Sequence, residues 1–197
     1  ALDLINLDIE LVRKRFGIML VNTIRELRGE SCIALEESPT SKKQIVVSRT
    51  FSRRVTELEF LKEAVSDYAA RAGEKLRKEG KSCKLISVFI RTNPFRKHDI
   101  QHREIRSLPF IHPTSDTRDL IQQSKILIEK LYCNGLNYNK VGIMLSDFSD
   151  ESVHQLDFFK EKIRCSRDLS VMQMLDGINQ SSCGPVTFLS QGIKKEW

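Results

Sequence analysis

Residues 83–93, CKLISVFIRTN, carry a pattern that only an extended chain can use. Ile86, Val88 and Ile90 fall at every second position, with Ser87, Phe89 and Arg91 between them. Successive side chains of a strand point to opposite faces, so this spacing predicts a strand with one apolar side. Pro94 lacks an N–H for a ladder and closes it. A polar loop with His98 and His102 leads to REIRSLPF, residues 103–110, which reads as a third strand antiparallel to the one before it.

Upstream, QIVVSRTF at 44–51 is β-branched and partly alternating, a first strand. Thr56 followed three residues later by Glu59 has the form of a capping box. The helix it opens carries Leu61, Val65, Tyr68, Ala72 and Leu76 on one stripe and ends at Gly80. Downstream, Ser115 or Asp116 caps a second helix bearing Leu120, Ile121, Leu127, Ile128, Leu131 and Tyr132, with Asn134-Gly135 as its stop. KVGIML at 140–145 is a fourth strand. The order β-α-β-β-α-β predicts an α+β fold, a split βαβ unit whose two helices cover one face of a four-stranded sheet.

The uncovered face then points to function. Ser87 and Arg91 alternate outward, Ser48 and Thr50 alternate with Arg49, and Arg53 and Arg54 follow. Charge is concentrated in the same region. Residues 41–112 hold 17 Lys and Arg against 8 Asp and Glu, while 1–40 and 113–197 are slightly acidic. Guanidinium, ammonium and hydroxyl groups donate to phosphate oxygens, which positions nucleic acid without reading its sequence. No aromatic ladder is visible on these strands, which favours duplex DNA over a single strand. The competing reading is a protein-interaction module whose sheet docks a protein and whose basic block only solvates it.

The flanks read differently. Residues 8–28 predict one amphipathic helix with Ile9, Val12, Phe16, Leu20, Ile24 and Leu27 near a 3.6 period, weakened by Gly17 and stopped by Gly29. Residues 29–41 read as a linker containing Pro39. Residues 146–197 form an appendage with helical spacing of Leu169, Met172, Leu175 and Ile178. Within it, HQLDFFKEK at 154–162 places large apolar side chains in what should be a solvated tether. They are either a plug for a partner or, as Leu156 and Phe159 at i, i+3, part of the chain's own core.

The five cysteines form no CxxC pair, which fits reduced thiols in a cytoplasmic protein. No stretch approaches the ~18 apolar residues of a membrane span, and the start does not resemble a signal peptide. The chain has no initiator Met and opens inside an apolar-periodic stretch, which suggests a piece of a longer protein.

Motifs for catalysis are missing. There is no GxG or GK[ST] loop and no supported nucleophile–histidine set. His98 and His102 lack further ligands for a metal, and Asp147, Asp150 and Glu151 read as a solvated linker rather than a two-metal site. No catalytic residue, metal site or cofactor is expected in this chain.

RELRGESCIALEE, IVVSRTFS, YAARAGEKLR, FIRTNPF, PTSDTRDLI and QLDFF resemble, in the same order, the C-terminal half of the UmuC family, the catalytic subunits of DNA polymerase V. These are Y-family translesion DNA polymerases of bacteria. The resemblance covers nearly the whole chain. It implies the end of a thumb-like helical region at 1–28, a linker at 29–41, a little-finger DNA-binding domain at 42–145 and a C-terminal tail at 146–197. It implies that this domain lies along primer-template DNA, and the strand-face reading gives Ser48, Arg49, Thr50, Arg53, Arg54, Ser87, Arg91, Thr92 and Arg106 as the candidate DNA contacts. Gln155, Leu156, Asp157, Phe158 and Phe159 match the family's sliding-clamp-binding peptide of type QLxLF, with Phe158 where Leu is commoner. The palm and fingers, with their Mg²⁺-binding carboxylates, have no counterpart here, so this part is expected not to be an enzyme. The cleaved UmuD dimer and the RecA filament are implied as partners by the resemblance alone, and TFLSQGIKKEW at the end is a candidate partner surface.

Overall fold

A computed structural model describes residues 1–33, 41–96, 99–150, 166–181 and 185–192. The chain divides into two compact units, Ala1–Ser41 and Lys42–Trp197.

In the first unit, α1 (Leu2–Ile5) comes first, and α2 (Ile9–Phe16) and α3 (Ile18–Leu27) replace the single helix expected over 8–28. Gly17 is the reason. It takes φ 84° and ψ −178°, which cannot continue a helix, and ends α2 while starting α3. The apolar stripe is cut with it. Val12, Val21 and Ile24 are buried with Leu4, Ile9 and Leu20 packed around them, whereas Phe16 and Leu27 are exposed. Arg28 fixes the turn after α1 by donating from Nε and Nη2 to Ile5 O at 3.1 and 2.5 Å, and from Nη2 to Leu7 O at 3.1 Å.

The second unit contains β1 (Gln44–Val55), α4 (Leu58–Lys78), β2 (Lys81–Thr92), β3 (Arg103–Thr114), α5 (Thr117–Leu131), β4 (Tyr138–Asp150) and α6 (Ser166–Gln180). The β-α-β-β-α-β order is as expected. The sheet order is β1-β4-β2-β3 and every neighbouring pair is antiparallel, so β4 is inserted between the mutually parallel β1 and β2. Pro109 and Pro113 sit in β3, an edge strand, where a missing donor is tolerated.

One sheet face carries Ile45, Ile86, Val88, Ile90, Val141, Ile143 and Leu145. It packs on Leu61, Val65, Tyr68, Ala72 and Leu76 of α4 and on Leu120, Leu127, Ile128 and Leu131 of α5. Each such large side chain contributes about 1.5–3 kcal/mol on burial. Gly73 lets the helices meet closely, since a Cβ there would lie 3.1 Å from Leu120 Cδ1 and from Thr117 Oγ1.

The caps differ in part from expectation. Asp116 caps α5 by accepting from Arg118 N at 2.8 Å. The Thr56–Glu59 box does not form. α4 starts one residue later with Glu57 as its N-cap, Tyr132 Oη donates to Thr56 O at 2.7 Å, and Glu59 pairs with Lys62 at 3.0 Å. α5 ends at Leu131, ahead of Asn134-Gly135, because Tyr132 turns extended. Tyr138 Oη then closes the turn by accepting from Cys133 N at 2.7 Å. The stretch with Asp147 and Asp150, read as linker, is the end of β4: Phe148 pairs with Cys83 and Asp150 with Lys81.

The appendage is fastened to α4 by polar clasps. Arg77, almost fully buried, donates from Nε and Nη2 to the two Asp176 carboxylate oxygens of α6 at 2.6 and 2.7 Å. Its Nη1 donates to Ser115 O at 2.6 Å and Thr117 Oγ1 at 3.0 Å. Further on, Gln191 is buried in a 3₁₀ turn (Leu189–Gln191), donates to Asp67 Oδ1 at 3.3 Å and accepts from Phe188 N at 2.7 Å.

Candidate nucleic-acid interface

Cross-strand partners share a sheet face, so the register lays out the face opposite the helices as rows across β1, β4, β2 and β3. The rows are Gln44–Ser146–Leu85–Pro109, Val46–Met144–Ser87–Ser107, Ser48–Gly142–Phe89–Ile105 and Thr50–Lys140–Arg91–Arg103. The first three carry no charge. The fourth sets three cations side by side beside a hydroxyl.

Like charges directly opposite one another in a sheet are destabilising. Among the described residues none of Lys140, Arg91 and Arg103 has an ion-pair partner, and Arg91 Nε is buried without a hydrogen bond. A row of this kind has the chemistry to receive an anion that brings oxygen acceptors to it.

The expected contact residues are dispersed. Ser48, Thr50 and Arg91 lie on this face. Ser87 shares it but is buried, its Oγ 2.8 Å from Ser107 Oγ, so it has no surface to offer a phosphate. Thr92 is also buried. Its Oγ1 accepts from His102 N at 2.9 Å, and the β2–β4 ladder shifts register after Arg91. Arg49 pairs with Val141 and Arg106 with Val88, both core-facing, which sets them on the helix side of the two edge strands. Arg106 is also paired with Glu104 at 2.9 Å. The nearby Tyr68 hydroxyl is pushed up to about 12 by burial, with the charge of Arg49 opposing the shift. Arg53 and Arg54 leave the ladder in a bulge between Thr50 and Val55, where Arg54 lies 4.0 Å from Asp99.

Lys140 and Arg103 were missed. Alternation could have found Lys140, because Val141, Ile143 and Leu145 facing inward turn it outward. Phe89 shares this face as well. It lies across Gly142, where a Cβ would come 2.4 Å from both its Cζ and Ser48 Cβ. His98 and the motif Gln155, Leu156, Asp157, Phe158 and Phe159 lie outside the described residues. His102 packs edge-on against Tyr138 at 6.0 Å.

Residues 42–158, from β1 past the end of β4, match the impB/mucB/samB family C-terminal domain. The chain belongs to the impB/mucB/samB family. Its relatives in that family include protein SamB of Salmonella typhimurium, 42% identical over 197 residues, all of this chain and 46% of that protein. Protein MucB of Escherichia coli is 43% identical over 193 residues, 98% of this chain and 46% of that protein. Protein UmuC of Salmonella typhimurium strain LT2 is 38% identical over 198 residues, all of this chain and 47% of that protein. The chain thus spans about half the length of the curated family members it matches. Among the described residues, no helix is long and apolar enough to cross a membrane.

Proposed function

We propose that this chain is the DNA-gripping and clamp-tethering C-terminal portion of a UmuC-like, error-prone translesion DNA polymerase, acting in SOS repair and mutagenesis in the bacterial cytoplasm. The observation that carries the reading is the row Thr50–Lys140–Arg91–Arg103, cations that have no carboxylate partner among the described residues, on the sheet face opposite α4 and α5. Ser48 and the bulge residues Arg53 and Arg54 border the row, and Arg49 and Arg106 stand on the helix side of the two edge strands, Arg106 in an ion pair with Glu104. Nucleotidyl transfer and its Mg²⁺ belong to the half of the family members that this chain does not span. Gln155, Leu156, Asp157, Phe158 and Phe159 tether the polymerase to the sliding clamp, raising its effective concentration on DNA. The cleaved UmuD dimer and the RecA filament are the further partners that the resemblance implies.

The test is duplex primer-template binding across a salt series. Log K falls linearly with log salt, and Lys140→Ala and Arg103→Ala each reduce the slope by about 0.9. Binding that is absent, or unchanged in slope in both variants, overturns the reading. For the tether, the Gln155→Ala/Phe158→Ala/Phe159→Ala variant loses clamp binding and keeps DNA binding.

One observation favours the other reading, a sheet that docks a protein. Val46 and Ile105 are half exposed on the same face. Ile105→Ser leaves DNA affinity near wild type if the cation row makes the contact. If it abolishes capture of a protein while Lys140→Ala and Arg103→Ala do nothing to DNA, the face is a protein interface.

A further inference from the structure

At the end of the cation row the ladder between β1 and β4 opens. Thr50 pairs with Lys140 and Val55 with Tyr138, so Phe51, Ser52, Arg53 and Arg54 stand opposite Asn139 alone. Phe51 is buried and holds the bulge to the core, which turns the three residues after it outward. Bulges commonly re-aim side chains in this way beside functional sites. Here the opening is a cavity of about 210 Å³.

Its lining is rich in donors. Arg53, Arg54 and Arg96 bring guanidinium groups, and Asn93, Asn137 and Asn139 bring carboxamides. Asn93 Oδ1 accepts from Phe95 N at 3.0 Å, which leaves its Nδ2 to donate. One side chain ties Asn93, Arg96 and Asp99 together. Gln101 Nε2 donates to the backbone oxygens of those three residues at 3.1, 2.8 and 3.2 Å. The only carboxylate in the lining is Asp99, 4.0 Å from Arg54. Among the described residues Arg53 and Arg96 have no carboxylate partner.

We propose that this cavity is a phosphoryl-binding pocket, holding one phosphate group of a nucleic-acid strand as it runs off the cation row. Planar guanidinium forks match phosphate oxygens, and the carboxamides can donate to those left over. The volume leaves room for the phosphate and some of its waters. The assignment to a nucleic-acid strand rests on the DNA reading above, whereas the phosphoryl chemistry rests on the lining alone.

The test follows the side-chain amide cross-peaks of the asparagines by ¹H–¹⁵N NMR of the full chain. Inorganic phosphate is titrated against chloride at matched ionic strength, and duplex DNA is added in a second series. The expected result is saturable shifts of the Asn93, Asn137 and Asn139 amides with phosphate and with duplex. These shifts are lost in Arg53→Ala/Arg96→Ala while the remaining spectrum is kept. Asp99→Asn removes the opposing charge and saturates at lower phosphate, a gain that misfolding cannot mimic. Phosphate that moves these peaks no more than chloride does, or a double variant that titrates like wild type, overturns the pocket. Shifts with phosphate but not with bound duplex overturn the strand assignment and leave a free phosphate ester as the ligand. If no duplex binds at all while phosphate still saturates, the DNA reading falls and the phosphoryl pocket stands.

Discussion

Tyr68 buries a hydroxyl that makes no hydrogen bond, and burial lifts its pKa to about 12. In the unfolded chain the same group ionises near ~10. Below that value the two states hold the same proton and this group leaves stability unaffected by pH. Between the two values the unfolded state sheds the proton first, so stability falls as pH rises, by roughly 2–3 kcal/mol in all. Tyr68→Phe removes that fall and, by deleting an unsatisfied buried hydroxyl, raises stability near neutral pH by about 1 kcal/mol. Denaturant melts of both proteins at pH 7 and across the alkaline window check both signs. Gly142 makes a second prediction. An added Cβ collides with Phe89 and Ser48, so Gly142→Ala costs about 1–3 kcal/mol and displaces the Phe89 ring, readable in melts and in aromatic NMR shifts. Neither residue's role was legible in the sequence. Alternation says which face a residue occupies, but not what its cross-strand neighbours leave uncovered, and Ser87 failed as a phosphate contact for that reason.

Elements were legible where one period dominated. β2, α4 and α5 follow from the alternation of Ile86, Val88 and Ile90 and from the stripes through Leu61–Leu76 and Leu120–Leu131. The helix over 8–28 was misread because a continuous apolar period cannot report the φ of a single glycine. The docking of α6 was invisible for a different reason: Arg77 and Asp176 are 99 residues apart and each looks like an ordinary surface charge. That pair is largely buried, so removing one partner strands the other. Asp176→Ala is expected to cost about 3 kcal/mol locally, or about a hundredfold faster amide exchange in α6. The amides of β2 and β4, held by the sheet, keep their wild-type exchange. Uniform acceleration through the whole unit would show that α6 is part of the core rather than docked on it.

At the scale of the molecule, the basic middle block was legible from counting and its sharpest expression was not. The +9 balance over residues 41–112 excludes Lys140, which the strand order brings from outside the block to stand between Thr50 and Arg91. The same strand order has a consequence during synthesis. Among the described residues β4 is the last strand to be made and the only partner of β1, which it separates from β2. Until residues near Tyr138–Asp150 leave the ribosome, β1 has no ladder and the inward faces of β1 and β2 have no strand between them. A nascent chain stalled before Tyr138 can form the β2–β3 hairpin and its helices but not the sheet. It should therefore be protease-sensitive, and chains released only after Asp150 should become resistant in a single step. The sheet thus stays open to chaperones and proteases until its fourth strand is made, and whether the unit survives synthesis is decided there.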